Sequence, residues 1–215
     1  MAGSDSKHVL LVDNHDSYTG NLFQLLWCET GNPPDVVQSD GIDFGTLDLA
    51  AYSHIVLGPG PGTPHNPADV GETTELLRRT DAFVLGVCFG LQSIAVALGG
   101  RVSRLSEPAH GTTSTILCDS SPLFDGLASQ FDAVRYHSLE VQYPLPAPMR
   151  ATAWTDDGVL MAAEAPALGL YGVQFHPESI GTDSGPRIVS NFLKVESQVV
   201  PRIRGALGQE VAINV

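Results

Sequence analysis

The chain has 215 residues, 43% of them hydrophobic and 16% charged, so it can bury one substantial core, and neither disorder nor a fibrous repeat fits. Its 24 acidic and 11 basic residues give a formal net charge of −13. Because such a charge repels phosphate backbones and anionic lipid headgroups, we expect no nucleic-acid or membrane partner. The composition therefore predicts a soluble globular protein.

Cysteine usage and the N-terminal sequence indicate the compartment. Cys28, Cys88 and Cys118 occur without a CxxC spacing, which predicts neither a disulfide framework nor a zinc site. Residues 1–7 are polar and lead at once into a strand-like run, so no signal peptide is expected. Residues 82–99 are uncharged but contain glycines and polar residues, which favours a buried strand and helix over a membrane span. We therefore expect a cytoplasmic protein.

The first half of the chain alternates short apolar runs with helical spacing of apolar residues. The pattern predicts strands at 8–13, 36–37, 54–57 and 83–87, and helices at 21–27, 70–80 and 91–98. Such alternation is typical of an open parallel sheet covered by helices on both faces, with reactive residues at the carboxyl ends of the strands. We therefore predict an α/β fold with a mostly parallel central sheet.

The second half contains short, often alternating apolar runs separated by turn signals. These runs predict strands at 113–117, 133–136, 150–154, 159–163 and 170–175, in a smaller antiparallel or mixed portion of the structure. A helix is predicted at 187–195. We predict one domain over residues 1–194 and a tail or linker over residues 195–215.

Cys88 lies in the sequence GVCFG, residues 86–90, between an apolar strand and a helix. This is the context in which a nucleophile elbow forms, because a sharp turn leaves no room for the Cβ atoms of neighbouring residues. At a helix N-terminus, backbone N–H groups and the helix dipole favour a thiolate and can bind an oxyanion. A buried cysteine in a tight turn fits the same pattern, so the motif alone leaves both interpretations open.

Residues 172–179, GVQFHPES, supply a candidate base. A predicted strand ends at His176, Pro177 fixes the backbone, and the carboxylate of Glu178 can reach the imidazole. Such a pair would hold the tautomer of the histidine and raise its basicity, so that it can accept a thiol proton. Together with the cysteine elbow, the pair predicts a Cys-His-Glu triad.

Residues 58–64, GPGPGTP, form a Gly/Pro loop directly after a predicted strand. Its exposed N–H groups could complete an oxyanion hole. No Gly-Lys-Ser/Thr sequence follows, so the loop does not fit a phosphate loop. Because Gly-Pro runs are common connectors, a simple turn is the alternative.

The remaining histidines and cysteines are weaker candidates. His8, His15, His54 and His65 form no recognisable metal-ligand set, so we predict no metal and no cofactor in this chain. His110 and His137 could line the site or a partner-facing surface, but the interpretation we prefer for each is a hydrogen-bonded structural residue. We expect the other two cysteines to be packing residues.

The chain resembles the class I glutamine amidotransferases, in particular the glutaminase subunits of anthranilate synthase and aminodeoxychorismate synthase. The resemblance spans residues 8 to about 194 and is specific through the order and spacing of its short motifs. Five stretches carry it: residues 12–22, VDNHDSYTGNL; residues 58–64, GPGPGTP; residues 86–92, GVCFGLQ; residues 135–139, RYHSL; and residues 172–180, GVQFHPESI.

This resemblance implies a three-layer α/β fold in which Cys88, His176 and Glu178 hydrolyse L-glutamine through a γ-glutamyl thioester to glutamate and ammonia. The backbone N–H groups of Gly60 and Phe89 would form the oxyanion hole. Residues 13–21 and the Gly/Pro loop would help face a partner. By motif position, the residues that would hold glutamine are Gly60, Pro61, Gly62, Gln92, Ser138 and Leu139.

The resemblance also implies a partner, a chorismate-using synthase subunit or fused domain that itself uses magnesium. Ammonia would reach it by a shielded path, because ammonia released into water is protonated and loses its nucleophilicity. The stretch 151–155 is closer to aminodeoxychorismate synthase, of folate and 4-aminobenzoate synthesis, than to anthranilate synthase, of tryptophan synthesis. The sequence leaves open which of the two synthases is the partner. It also leaves open whether the chain is a free subunit or a piece of a fusion.

Two residues depart from the family pattern. Leu91 stands where the family usually has histidine, and Thr112 stands where it usually has lysine. Neither is a member of the predicted triad. We expect the first departure to alter packing behind the elbow and the second to change a contact with the synthase.

Two other classes of protein could carry some of these residues. A γ-glutamyl peptidase would also use cysteine and histidine, but the Gly/Pro loop and residues 13–21 argue against it. A non-enzymatic binding module with this fold would be expected to lack a triad member, whereas all three residues are present.

Overall fold

A computed structural model describes residues 8–196 of the chain. Over this range it contains eleven strands and five α-helices, besides three short 3₁₀ turns. In chain order they are β1 Val9–Asp13, α1 Thr19–Thr30, β2 Asp35–Gln38, β3 His54–Leu57, α2 Pro67–Val70, α3 Thr73–Arg79, β4 Phe83–Val87, α4 Phe89–Ala97, β5 Val102–Arg104, β6 Thr112–Cys118, β7 Gln130–Arg135, β8 Leu139–Val141, β9 Arg150–Thr155, β10 Leu160–Ala165, β11 Leu170–Val173 and α5 Gly185–Leu193.

A nine-stranded sheet forms the centre of the described structure, in the order β2-β1-β3-β4-β11-β10-β9-β6-β7. The pairings from β2 to β11 are parallel. Those from β11 to β7 are antiparallel. β5 and β8 form a separate two-stranded antiparallel ribbon. The predicted α/β fold, with a parallel sheet and an antiparallel portion in the second half, is confirmed.

Helices cover both faces of the sheet, which gives three layers. Side chains alternate along a strand, so Val9 and Leu11 of β1 join one buried cluster while Leu10 and Val12 join the other. Helices α1 and α5 pack together on the first face, and α3 and α4 on the second. The strands at the centre therefore carry apolar side chains on both faces, as parallel strands under helices do.

The prediction of one continuous helix over residues 70–80 is wrong. The chain instead forms α2 and α3, separated at Gly71, which has a φ of 55°. A Cβ at Gly71 would lie 2.5 Å from the carbonyl oxygen of Ser39. This close approach to the turn after β2 requires glycine and interrupts the helix.

The other predicted helices and strands occur within a few residues of their predicted limits, whereas the ribbon of β5 and β8 was not predicted. Each strand of the ribbon has three residues, too few to establish an alternating pattern. The predicted domain limit at residue 194 stays a prediction. Val195 packs against the core on the α5 side, and residues 197–215 lie outside the described part. No helix in the described range is long and apolar enough to cross a membrane.

Candidate active site

Four adjacent strands of the parallel half, β1, β3, β4 and β11, end at the same edge of the sheet. The segments that follow them carry every part of the predicted triad and the Gly/Pro loop. Because the carboxyl ends of parallel strands converge, sequence motifs far apart in the chain meet there.

Cys88 lies between β4 and α4 in a backbone conformation that side chains rarely adopt, with φ 53° and ψ −103°. Its N–H donates to the carbonyl oxygen of Val173 at 2.8 Å, which ties the turn to β11. Phe89 is the first residue of α4, so its N–H has no partner within the helix. The thiol, 6% exposed, therefore sits at a helix N-terminus beside unpaired N–H groups.

The two glycines of the elbow are required because a side chain at either position would have no room. A Cβ at Gly86 would overlap the carbonyl carbon of Gly90, and a Cβ at Gly90 would overlap the carbonyl oxygen of Leu57 at the end of β3. Larger residues at either position would push α4 away from the sheet. The sharp turn that presents Cys88 is thus fixed by the flanking glycines, as the sequence predicts.

His176 and Glu178 follow β11, the strand next to β4. The Nδ1 atom of His176 lies 2.6 Å from Oε1 of Glu178, and the two side chains are 3% and 0% exposed. The N–H of His176 donates to the carbonyl oxygen of Val134 on β7 at 3.0 Å. The predicted His-Glu pair is present, buried and fixed at both its side chain and its backbone.

The charge state of His176 depends on this environment. Burial of the ring disfavours the imidazolium, but the neighbouring Cys88 and the carboxylate of Glu178 outweigh it and raise the pKa of His176 to about 10. Its second ring nitrogen, Nε2, makes no hydrogen bond within the described residues. The structure therefore leaves Nε2 free for proton exchange on the side of the thiol.

Gln174 is a site residue to which the sequence assigned no role. It is fully buried, and its Nε2 atom lies 3.5 Å from Sγ of Cys88. Its Oε1 accepts a hydrogen bond from Nε2 of Gln92 at 3.1 Å. The available signal was an amide between Val173 and Phe175 at the end of an otherwise apolar strand.

Leu139, one of the two predicted glutamine-binding residues of the RYHSL stretch, contacts Gln92. Nε2 of Gln92 donates to the carbonyl oxygen of Leu139 at 3.2 Å. Nδ1 of His137 lies 2.8 Å from the same oxygen, while Nε2 of His137 accepts from Nε of Arg135 at 3.0 Å. Burial lowers the pKa of His137 to about 4, so its ring is neutral and donates through Nδ1. His137 thus fixes the backbone at Leu139, while Ser138 is exposed.

The Gly/Pro loop packs against the segment after β1. Nδ2 of Asn14 donates to the carbonyl oxygen of Gly58 at 2.8 Å, and a Cβ at Gly60 would lie 2.6 Å from Cβ of Asn14. Gly62 has a φ of 86° and lies against Asp69, whose carboxylate accepts from the N–H of Thr63 at 2.9 Å. The loop is therefore held in one shape, with Pro61 and Gly62 exposed.

Two tyrosine rings pack against the imidazole of His176. The ring of Tyr136 lies edge-on to His176 with 5.1 Å between centroids, and the ring of Tyr18 lies edge-on at 6.0 Å. Tyr18 and Tyr136 contact each other at 5.1 Å, and His110 lies edge-on to Tyr136 at 5.9 Å. His110 therefore joins this group of rings through Tyr136.

The two departures from the family pattern have distinct surroundings. Leu91 is fully buried, and a Cβ at Gly172 on β11 would lie 2.5 Å from its Cδ1 atom. Leu91 therefore fills the space over Gly172 between α4 and the sheet, behind the elbow. Thr112 is exposed at the start of β6.

Other titratable groups in the described residues do not form a second site of this kind. Within residues 8–196 no group of three or more His, Cys, Asp and Glu side chains is arranged to hold a metal ion. Cys28 is exposed, and the half-buried thiol of Cys118 donates to the carbonyl oxygen of Ala128 at 3.4 Å. His54 is buried between Phe83 and Phe192, away from Cys88.

Comparison with known proteins identifies the family of the chain. Residues 10–195 match the family model described as glutamine amidotransferase class-I. The chain is 50% identical over 183 residues to an aminodeoxychorismate synthase of Streptomyces griseus, covering 85% of this chain and 25% of that protein. It is 40% identical over 190 residues to anthranilate synthase component 2 of Mycobacterium tuberculosis, covering 86% of this chain and 81% of that protein.

A solved glutamine amidotransferase of Thermotoga maritima shares the fold, with a TM-score of 0.68, 18% identity, and coverage of 80% of this chain and 76% of that one. The chain belongs to the class I glutamine amidotransferase family. It spans about a quarter of the Streptomyces relative.

Proposed function

We propose that the chain hydrolyses L-glutamine to glutamate and ammonia, with Cys88 as nucleophile, His176 as acid and base, and Glu178 as the group that orients the histidine. One observation carries this proposal. Cys88 is presented at the N-terminus of α4, and the buried His176-Glu178 pair follows the adjacent strand β11 with Nε2 of His176 unpaired within the described residues. Nucleophile, base and orienting carboxylate are the parts that covalent acyl transfer requires.

The reaction follows from these parts. His176 Nε2 takes the thiol proton, and Sγ of Cys88 attacks the carboxamide carbon of glutamine. The N–H groups of Phe89 and Gly60 stabilise the oxyanion that develops. The C–N bond breaks as His176 returns the proton to the leaving ammonia, which leaves a γ-glutamyl thioester. Water then attacks the thioester, its proton goes to His176, and glutamate leaves with the thiol restored.

The high pKa of His176 favours the transfer of the proton from the thiol. At neutral pH the imidazolium form of His176 is favoured. His176 therefore retains the thiol proton once it has taken it, and the same proton is available for the leaving ammonia. The N-terminus of α4 supports the negative charge on sulfur.

The ammonia is proposed to pass to a chorismate-using synthase, either a separate subunit or a domain of the same polypeptide. The relatives are named aminodeoxychorismate synthase and anthranilate synthase component 2, with the higher identity to the first. The 151–155 stretch favours the same choice. We therefore propose an aminodeoxychorismate synthase partner ahead of an anthranilate synthase partner. We also propose that the protein is cytoplasmic.

The test is glutamate release by the chain alone and with each type of synthase. We expect an aminodeoxychorismate synthase partner to stimulate release more than an anthranilate synthase partner. Cys88→Ala should lower release by at least about 10³-fold, since removal of a nucleophile abolishes covalent catalysis. Cys28→Ala is the matched control and should keep wild-type activity, because that thiol is exposed on α1.

The outcomes separate the parts of the proposal. Glutamate release by the Cys88→Ala variant at the wild-type rate would exclude the mechanism. Greater stimulation by the anthranilate synthase partner would overturn the choice of partner and leave the chemistry. Release from γ-glutamyl peptides at a higher kcat/KM than from glutamine would favour a peptidase.

A further inference from the structure

Two buried glutamine side chains link Leu139, a predicted glutamine-binding residue, to the nucleophile. Gln92 on α4 is 3% exposed and Gln174 after β11 is 0% exposed. Their side chains form a chain of three contacts, from the carbonyl oxygen of Leu139 to Gln92, from Gln92 to Gln174, and from Gln174 to Sγ of Cys88. Buried amides need partners, and here one of those partners is the reactive sulfur.

The orientation of both amides follows from the first contact. The carbonyl of Leu139 can only accept, so the atom of Gln92 that faces it is the nitrogen. The same nitrogen faces Gln174, so the atom of Gln174 that receives it is the oxygen. Gln174 must therefore turn its NH₂ group to the sulfur of Cys88.

An N–H donor aimed at sulfur interacts more strongly with a thiolate than with a thiol, because a hydrogen bond to a charged acceptor is the stronger one. The backbone of Gln174 is itself fixed, since its N–H donates to the carbonyl oxygen of Met161 at 2.8 Å. By motif position, Gln92 is itself one of the predicted glutamine-binding residues.

We propose that Gln174 is a positioning residue that holds the Cys88 thiolate through its side-chain N–H group and couples the sulfur to the substrate contact at Gln92. This inference deepens the proposed function and rests on it for the coupling to glutamine. Gln92 acts on substrate affinity and Gln174 on the reactivity of the sulfur. The bond between the two side chains joins these effects.

The experiment replaces the amide by an apolar side chain of similar length, Gln174→Met, with Gln174→Leu as a second variant in case the first does not fold. Cys88 alkylation by iodoacetamide is followed at neutral pH by peptide-resolved mass spectrometry, with the exposed Cys28 as internal standard. Gln130→Met, at an exposed position of the edge strand β7, is the matched control.

We expect Gln174→Met to slow alkylation of Cys88 relative to Cys28 by about 10-fold, the effect of one hydrogen bond to a charged group. In glutaminase assays kcat should fall by a similar factor. Gln92→Met should act mainly on KM, and the double variant should lose less than the product of the two single losses. The control should match wild type in both assays.

A purely structural role would lower the melting temperature and leave the ratio of Cys88 to Cys28 alkylation unchanged, and that result would overturn the inference. The two proposals also fail separately. If wild type releases no glutamate while Gln174→Met still slows alkylation, the proposed function is wrong, and the proposed hydrogen bond from Gln174 to the sulfur of Cys88 is supported. If wild type is active and the alkylation ratio does not change in either variant, the inference alone is wrong.

Discussion

The hydrogen bond between His176 and Glu178 has a consequence for the pH dependence of stability. The pKa of His176 is raised from 6.5 to about 10, because Cys88 and Glu178 outweigh the opposing effect of burial. A group whose pKa is higher in the folded state contributes stability that is complete below pH 6.5 and disappears as the pH rises through about 10. Glu178→Gln removes the carboxylate, so it should move this loss to lower pH.

The measurement is the free energy of unfolding from urea titrations across that pH window. The difference between wild type and His176→Gln isolates the contribution of His176 from the other groups that titrate there. In the Glu178→Gln background the same difference should be smaller and should vanish at lower pH. An unchanged pH dependence in that background would show that the carboxylate does not set the pKa of His176.

At the scale of residues, the sequence predicts those whose chemistry is recognisable by type and spacing. Cys88 has flanking glycines, and His176 has a carboxylate close by in the chain, so the pair and the elbow are found where predicted. Gln174 was missed because an amide at a strand end carries no such signature. Its importance comes from Gln92, 82 positions away, which only the fold brings within hydrogen-bond distance.

At the scale of elements, α4 must approach the sheet closely to present Cys88. Gly90 lies against the carbonyl of Leu57, so Gly90→Ala should separate α4 from β3 and lower the free energy of unfolding by about 1–3 kcal/mol, the usual effect of overpacking. Glutaminase activity should fall as well, since the elbow would shift. The measurements are urea unfolding and glutamate release.

The matched control is Gly20→Ala on α1. A Cβ there meets nothing within 4 Å, so the substitution should raise the free energy of unfolding, by about 0.5–1 kcal/mol from helix propensity. Equal effects of the two substitutions would contradict the role of close approach at Gly90.

Element boundaries were predicted best where an apolar run ends in glycine or proline. β3 and β4 have their predicted limits because Gly58 follows one and the elbow follows the other. The prediction of one helix over 70–80 is wrong because the backbone at Gly71 approaches Ser39 on a distant turn. That approach is a tertiary constraint which local propensity does not contain.

At the scale of the whole molecule, the position of β11 in the sheet determines which residues meet at the site. β11 follows β10 in the chain but inserts between β10 and β4, and this order brings His176 beside Cys88. The alternation of apolar runs predicts the layers, yet strand order depends on pairings between residues far apart in sequence. The presence of a parallel sheet was therefore predictable from the sequence. The identity of the strand that pairs with β4 was not.

The limit of the folded domain gives a prediction at this scale. Val195 packs against the core of the α5 face, and its N–H donates to the carbonyl oxygen of Phe192 at 2.9 Å. A chain ending at Glu196 should keep the glutaminase activity and change the free energy of unfolding by no more than about 0.5 kcal/mol. A chain ending at Lys194, which lacks this valine, should lose about 1 kcal/mol through lost apolar burial. Urea unfolding and glutamate release of both truncations check this, and a large loss for the chain ending at Glu196 would contradict this limit of the domain.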